Sequence, residues 1–351
     1  MNLNDVTGFR LTKDVYNRFG LIVIPEQTIL DRDHLELLAK HGIQAGELAV
    51  EVPEDWTPAE KELPMTPSER LLEQNERLIA GATEEVKHLF ETVLHENKIP
   101  LKEINEKLLP SIDLAASNVN LHHLLSGLQA KDDYTYRHNI GVSVLSNMLG
   151  KWLKLSHSET EQLTTAALLH DIGKINVADD ILNKPGKYTD AEFARMKKHT
   201  IYGYEIIRNM SDLSPRIALA ALQHHEREDG KGYPYGISGK EMDDFSKIIA
   251  VADVFHAMTS SRVYREASPF YQVIMQMQQD RFGKIDPAIC SVFVRRMMEM
   301  AVGSEVILTD GRRGKVVLIH ADDPGRPLVK IGSQYIDLSQ NRDVQVLSIA
   351  G

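Results

Sequence analysis

The segment SKIIAVADVFHAMTS, residues 246–260, is apolar on nearly every side and carries an aspartate, Asp253, in its middle. A helix that is apolar all round belongs inside a core. A lone carboxylate there costs several kcal/mol unless it is paired, hydrogen-bonded or bound to a metal. This stretch therefore demands two things: a helical core wide enough to enclose it, and a partner for Asp253.

The chain has 351 residues, more than one core usually holds, so two or three domains are expected. Residues 1–60 read as a small α/β module, with a strand at LIVIP (21–25) and a helix in DRDHLELLAKHG (31–42) that starts at Asp31 and closes at Gly42. Residues 61–124 read as a Pro- and Glu-rich linker followed by a long helical region. Thr66, Pro67 and Glu69 supply the start signals for a helix that runs to about Lys98. Within it Leu72, Ile79, Val86 and Val93 recur every seven residues. That seam suits packing on the next domain, or a homodimer through residues 66–98. From 125 to 300 the pattern is helical almost throughout, with capping-box signatures at Ser158/Glu161 and Thr189/Glu192. Residues 303–351 hold five short strand-like runs, which suggest a small SH3-like β-barrel. The fold class expected is multidomain and mainly α.

Five places offer imidazole or carboxylate within helical surroundings: His138 in YTYRHN, His170-Asp171 in ALLHDIGK, His199 in MKKHTIYG, His224-His225 in ALQHHERE, and Asp253. Taken singly, a histidine on a helix is more often a hydrogen-bonded structural residue than a ligand. The company changes that reading. His170-Asp171 follows an apolar approach, Asp253 is buried for its own reason, and six of the 14 histidines fall between His138 and His225. Five histidines and two carboxylates can fill two coordination spheres, with one carboxylate bridging. Such ligands without sulfur suit iron or manganese, with zinc next and magnesium behind. Two such ions can hold a bridging hydroxide as a nucleophile and neutralise a phosphoryl oxygen, which is the chemistry of phosphoester hydrolysis.

Cations lie close in sequence: Lys174, four residues after His170; Lys184 before a Pro-Gly turn; Arg262 and Arg265 after the Asp253 helix. Each alone reads as a solvated surface charge; together they can hold a substrate phosphate. The net charge of -10 opposes a nucleic-acid polymer as partner. The single cysteine, Cys290, excludes an internal disulfide and a thiolate zinc site. No phosphate-binding glycine motif appears, no apolar run is long enough to span a membrane, and no signal peptide is read at the start, so a cytoplasmic location is expected.

HDIGK (170–174), HHEREDGKGYPYG (224–236) and VADVFHAMTSSRVYR (251–265) resemble the HD-GYP branch of the HD-domain metal-dependent phosphohydrolases. The resemblance covers residues 125–300. It implies an all-helical HD-type catalytic core that hydrolyses cyclic di-GMP to pGpG and onward to GMP. Carried over position by position, it makes His138, His170, Asp171, His199, His224, His225 and Asp253 metal ligands, with Asp171 bridging. Lys174 matches a lysine that assists at the scissile phosphate. Lys184, Arg262 and Arg265 match positions that face the nucleotide phosphates. Asp229, Gly230, Gly232, Tyr233 and Pro234 form the signature loop, a candidate docking surface for a diguanylate cyclase (GGDEF) or another signalling protein.

Two departures stand out. Members with a third metal carry a glutamate where this chain has Tyr134, so two ions are expected. Position 256 is more often aspartate; here it is His256, read as lying outside the ligand set. The alternatives are a hydrolase of another cyclic dinucleotide, such as cyclic GMP-AMP, and a nucleotide-responsive interaction module with little turnover.

Overall fold

Stop and start signals in the sequence fix most of the element boundaries. The computed structural model describes residues 3–17, 20–53, 67–117, 121–128, 134–210, 212–260 and 267–349. They fall into two compact units, Met1–Gln74 and Asn75–Gly351, and the boundary lies inside one long helix.

In the first unit, β1 (Arg10–Leu11) pairs with β4 (Val50–Glu51), and β2 (Val15–Tyr16) pairs with β3 (Ile22–Ile24), each antiparallel. Helix α1 (Arg32–Lys40) starts at the expected Asp31, whose side chain accepts from the His34 backbone N–H. It stops before Gly42, whose φ of +71° only glycine adopts without strain. Leu11, Ile24, Leu30 and Leu38 make this unit's core.

The second unit is mainly helical. Helix α2 (Pro67–Glu96) agrees with the expected span, though its capping residue Thr66 lies outside the described residues. Ile79, Val86, Leu89, Phe90 and Val93 join the unit's own core, so this part of the seven-residue seam packs within the chain. There follow α3 (Leu101–Glu103), α4 (Leu109–Ser117), α5 (Leu121–Leu128), α6 (Tyr134–Trp152), α7 (His157–Leu169), α8 (Asp179–Leu182) and α9 (Asp190–Met196). Then come α10 (His199–Met210), α11 (Pro215–Gln223), α12 (Asp244–Thr259), α13 (Phe270–Asp280) and α14 (Pro287–Met300). Helix α12 is the segment around Asp253, and its own Phe245, Ile249, Val251 and Phe255 are buried.

The capping box at Thr189/Glu192 forms as expected, but α7 is capped by Ser156 with Glu159, two residues earlier than the Ser158/Glu161 pair. The reason is the turn before it. Lys154 takes a positive φ of 61°, and Ser156 is the extended residue that follows within helix reach.

The tail forms five strands, β5 (Glu305–Leu308), β6 (Arg313–Leu318), β7 (Leu328–Ile331), β8 (Gln334–Asp337) and β9 (Val346–Ile349). They pair antiparallel in the order β8-β7-β6-β5-β9. No pairing joins β8 to β9 among the described residues, so the expected barrel stands as a five-stranded sheet. Its inward residues Val306, Leu308, Val316 and Val329 continue the helical core.

Candidate metal centre

Three of the candidate histidines sit where a helix has just ended. His170 caps α7, His199 follows the end of α9, and His224 caps α11. Last-turn carbonyls lack an intrahelical partner. Each ring uses one: Nδ1 of His170 meets the Ala167 carbonyl at 2.6 Å, that of His199 meets Met196 at 2.8 Å, and that of His224 meets Ala221 at 3.0 Å. A carbonyl only accepts, so each Nδ1 carries the proton and each Nε2 is a bare lone pair when the ring is neutral. Metal-binding histidines are commonly oriented by this same contact.

The bare nitrogens converge on Asp171, which is buried with the three rings. Its Oδ1 lies 3.4 Å from His199 Nε2 and 3.8 Å from His224 Nε2. Its Oδ2 lies 3.4 Å from His170 Nε2 and 3.7 Å from His138 Nε2. One carboxylate thus divides its oxygens between two groups of donors, His199/His224/His225 and His138/His170. Asp253 repeats the pattern from α12, with Oδ1 3.0 Å from His138 Nε2 and Oδ2 3.8 Å from His225 Nδ1. All seven residues are brought together.

His224 and His225 resolve a difficulty that spacing alone poses, since neighbours on a helix diverge by about 100°. Helix α11 ends at Gln223 with His224 as its C-cap, and the two ring centroids lie only 4.1 Å apart.

Lone pairs facing lone pairs need a cation between them. Nε2 of His199 and Nε2 of His224 are 3.5 Å apart, and among the described residues neither His170 Nε2 nor Asp171 Oδ1 has a hydrogen-bond partner. Protonation is a poor remedy. Burial pushes His199 down to about 4 and His225 down to about 3, drives His224 well below its ordinary value, and lowers His138 against the pull of Asp253. At His170 burial also acts downward, but the neighbouring Asp171 charge outweighs it and the value rises. For Asp171 burial opposes ionisation, yet Lys174 and His170 hold the carboxyl well below its usual range. For Asp253 the same opposition is overcome by the hydrogen bond and charge of His138, then by His225. Imidazoles disfavoured as cations at four of the five positions, beside two carboxylates that favour ionisation, fit divalent metal ions.

Lys174 reaches this cluster although α7 does not continue to carry it. A tighter 3-10 turn, Ile172–Asn176, swings its Nζ to 2.5 Å from Asp171 Oδ2. It also lines a cavity of about 470 Å³ shared with Phe90, Glu91, Leu94, Tyr136 and Ile175. Lys184 is instead engaged by Glu192 at 2.5 Å. Arg262 and Arg265 lie outside the described residues.

The signature loop packs on this His/Asp cluster. The Tyr233 ring lies 4.7 Å from that of His225, and the Tyr233 N–H donates to the His225 carbonyl. Gly232 is required by contact: a Cβ there would meet Glu226 Cα at 2.4 Å. Asp229 accepts from Arg227 and from the Lys231 backbone, and Gly230 turns with φ +69°. Pro234 follows Tyr233 through a cis peptide bond.

Two residues outside the candidate set belong to this region. Glu226 is buried, and its Oε1 accepts from the backbone N–H groups of Tyr235 (2.7 Å) and Gly236 (3.1 Å). Its signal was present as a charge directly after the His pair. His256, read as outside the ligand set, is 1% exposed and places Nδ1 3.0 Å from Nδ1 of His138.

A model of the HD domain matches residues 112–289, about half of the chain. The chain belongs to the HD-domain family. Within it, this HD protein is 36% identical over 204 residues to a cyclic di-GMP phosphodiesterase of Pseudomonas aeruginosa, covering 58% of the chain and 49% of the relative. It is 38% identical over 160 residues to 3'3'-cGAMP-specific phosphodiesterase 3 of Vibrio cholerae, covering 46% and 35%. It is 37% identical over 171 residues to a cyclic di-GMP phosphodiesterase of Thermotoga maritima, covering 48% and 46%. The HD chain spans about half the length, or less, of these curated relatives. Its fold is similar to that of an HDG"Y"P protein of Bdellovibrio bacteriovorus, with a TM-score of 0.52, 16% identity, and 84% and 97% of the two chains covered. The resemblance to the HD-GYP branch therefore stands. Among the described residues, no helix is long and apolar enough to cross a membrane.

Proposed function

We propose that this HD protein is a metal-dependent phosphodiesterase of cyclic dinucleotides, with cyclic di-GMP as substrate and pGpG as first product. The observation that carries the reading is Asp171, whose two oxygens serve two separate groups of imidazoles. The names of the relatives supply the substrate class.

His138, His170 and Asp171 would hold one ion, and His199, His224, His225 and Asp171 the other, with Asp253 reaching a member of each group. Two divalent ions, iron or manganese by ligand type, supply an activated water at neutral pH and neutralise charge on the phosphate. The remaining work belongs to side chains. Lys174, part-exposed beside Asp171, presents an ammonium to the phosphate and can protonate the leaving oxygen. Tyr233 covers His225 and limits water there. The cavity beside Lys174 gives one nucleoside an apolar and aromatic surface through Phe90, Leu94 and Tyr136.

A second substrate, cyclic GMP-AMP, is favoured by the Vibrio cholerae relatives named for it. The test is product analysis on full-length protein loaded with iron or manganese without oxygen exposure, supplied with each dinucleotide in turn. Linear pGpG is expected, with Asp171→Asn inactive. A loaded protein that leaves both dinucleotides intact ends this reading.

A further inference from the structure

His138 has an orientation problem that His170, His199 and His224 do not have. Those three find spare carbonyls at helix C-terminal ends. His138 stands in the first turns of α6, which begins at Tyr134, and a helix start offers spare N–H groups instead of spare carbonyls. Its Nδ1 faces another element. That element is helix α12: Nδ1 of His256 lies 3.0 Å away, both rings are buried, and their centroids are 4.9 Å apart.

Two facing ring nitrogens form a hydrogen bond only if one carries the proton and the other does not. A metal at Nε2 of His138 takes that lone pair, so the ring proton sits on Nδ1. Nδ1 of His256 must then be bare, with its own proton on Nε2; Ser260 Oγ lies within reach of both nitrogens, 3.3 Å from Nδ1 and 3.4 Å from Nε2. The reverse arrangement, His256 donating to His138, puts the His138 proton on Nε2 and closes that nitrogen to metal.

We propose that His256 is a positioning residue for the His138/His170/Asp171 ion, holding His138 in the metal-binding tautomer by accepting its Nδ1 proton. It does for His138 what a backbone carbonyl does for the other three rings. The inference rests on the metal reading of the site, and its test separates the two.

Full-length protein stripped of metal is titrated with Mn²⁺ as the probe, and binding is read by electron paramagnetic resonance. Wild type should bind two ions. His256→Leu should weaken one ion by about 10–100-fold, as loss of an orienting partner does, and leave the other within about threefold. His256→Asn, which returns an acceptor oxygen near the Nδ1 position, should recover most of the loss. Metal-free melting of each variant identifies any that fail to fold. The role is overturned if His256→Leu binds both ions as wild type does, or if folded His256→Asn is as weak as His256→Leu. A wild type that binds no Mn²⁺, iron or zinc removes the metal reading itself, and this role with it.

Discussion

Gly173 lies directly on the backbone of Gly203: a Cβ on Gly173 would come 2.3 Å from the Gly203 nitrogen and 2.0 Å from the His199 carbonyl oxygen. This contact lets the turn after Asp171 touch the start of α10, and so brings His199 to the carboxylate.

Gly173→Ala should therefore cost about 3 kcal/mol, the upper part of the usual overpacking range, because backbone cannot step aside as a flexible side chain can. It should also lower metal content. Gly81→Ala is the contrasting change. Gly81 is exposed in α2 with nothing within 4 Å of an added Cβ, so alanine should stabilise by about 0.5–1 kcal/mol through helix propensity. Urea denaturation of both variants, with equal slopes, checks the pair.

The metal-free protein should lose stability as pH falls from about 6.5 toward 4. His199 titrates near 4 in the fold because it is buried, but near 6.5 when unfolded, so the unfolded chain binds the extra proton in that window. Its shift corresponds to roughly 3 kcal/mol when fully expressed. His224 and His225 act in the same sense, and His170 in the opposite one. Asp171 and Asp253 contribute only lower down, losing their stabilisation as pH drops below about 3.8. Melting temperature measured between pH 7 and pH 4.5 should fall throughout for wild type and fall less for His199→Phe.

Glu226→Ala should release the signature loop. Two backbone donors lose a buried, charged acceptor, a change of about 2 kcal/mol. Tyr233 should move off His225, and turnover should fall further than metal content does. Glu226→Gln keeps an acceptor oxygen and should lie between Ala and wild type. Metal analysis, steady-state turnover and thermal melting on the three proteins distinguish these outcomes.

Residue types and helical periodicity singled out seven His and Asp side chains, and the structure brings all seven together. The polar residues in apolar runs, His170-Asp171 and Asp253, could be buried only with partners, and the structure partners them with one another. Helix starts followed local chemistry where a capping residue was unambiguous, as at Asp31 and Thr189. At α7 two serines competed and the turn at Lys154 decided between them, which periodicity does not register. The tail strands were legible from alternation, but their order and the open ends at β8 and β9 depend on pairing between distant residues. His256 was read as outside the ligand set, but its contact with His138, 118 residues away in the chain, is not visible in spacing. Lys174, four residues after His170, arrives at Asp171 by a 3-10 turn and not by a continued α7.

The seven candidate ligands come from the start of α6, the ends of α7, α9 and α11, and the middle of α12. A site assembled from so many terminations exists only once each of those helices has stopped at its proper residue and settled against its neighbours. Bound ion is thus a reporter on the native arrangement of the whole helical unit. A destabilised variant should shed its ions while much of its helical signal persists, and ion release would mark the first loosening of the core.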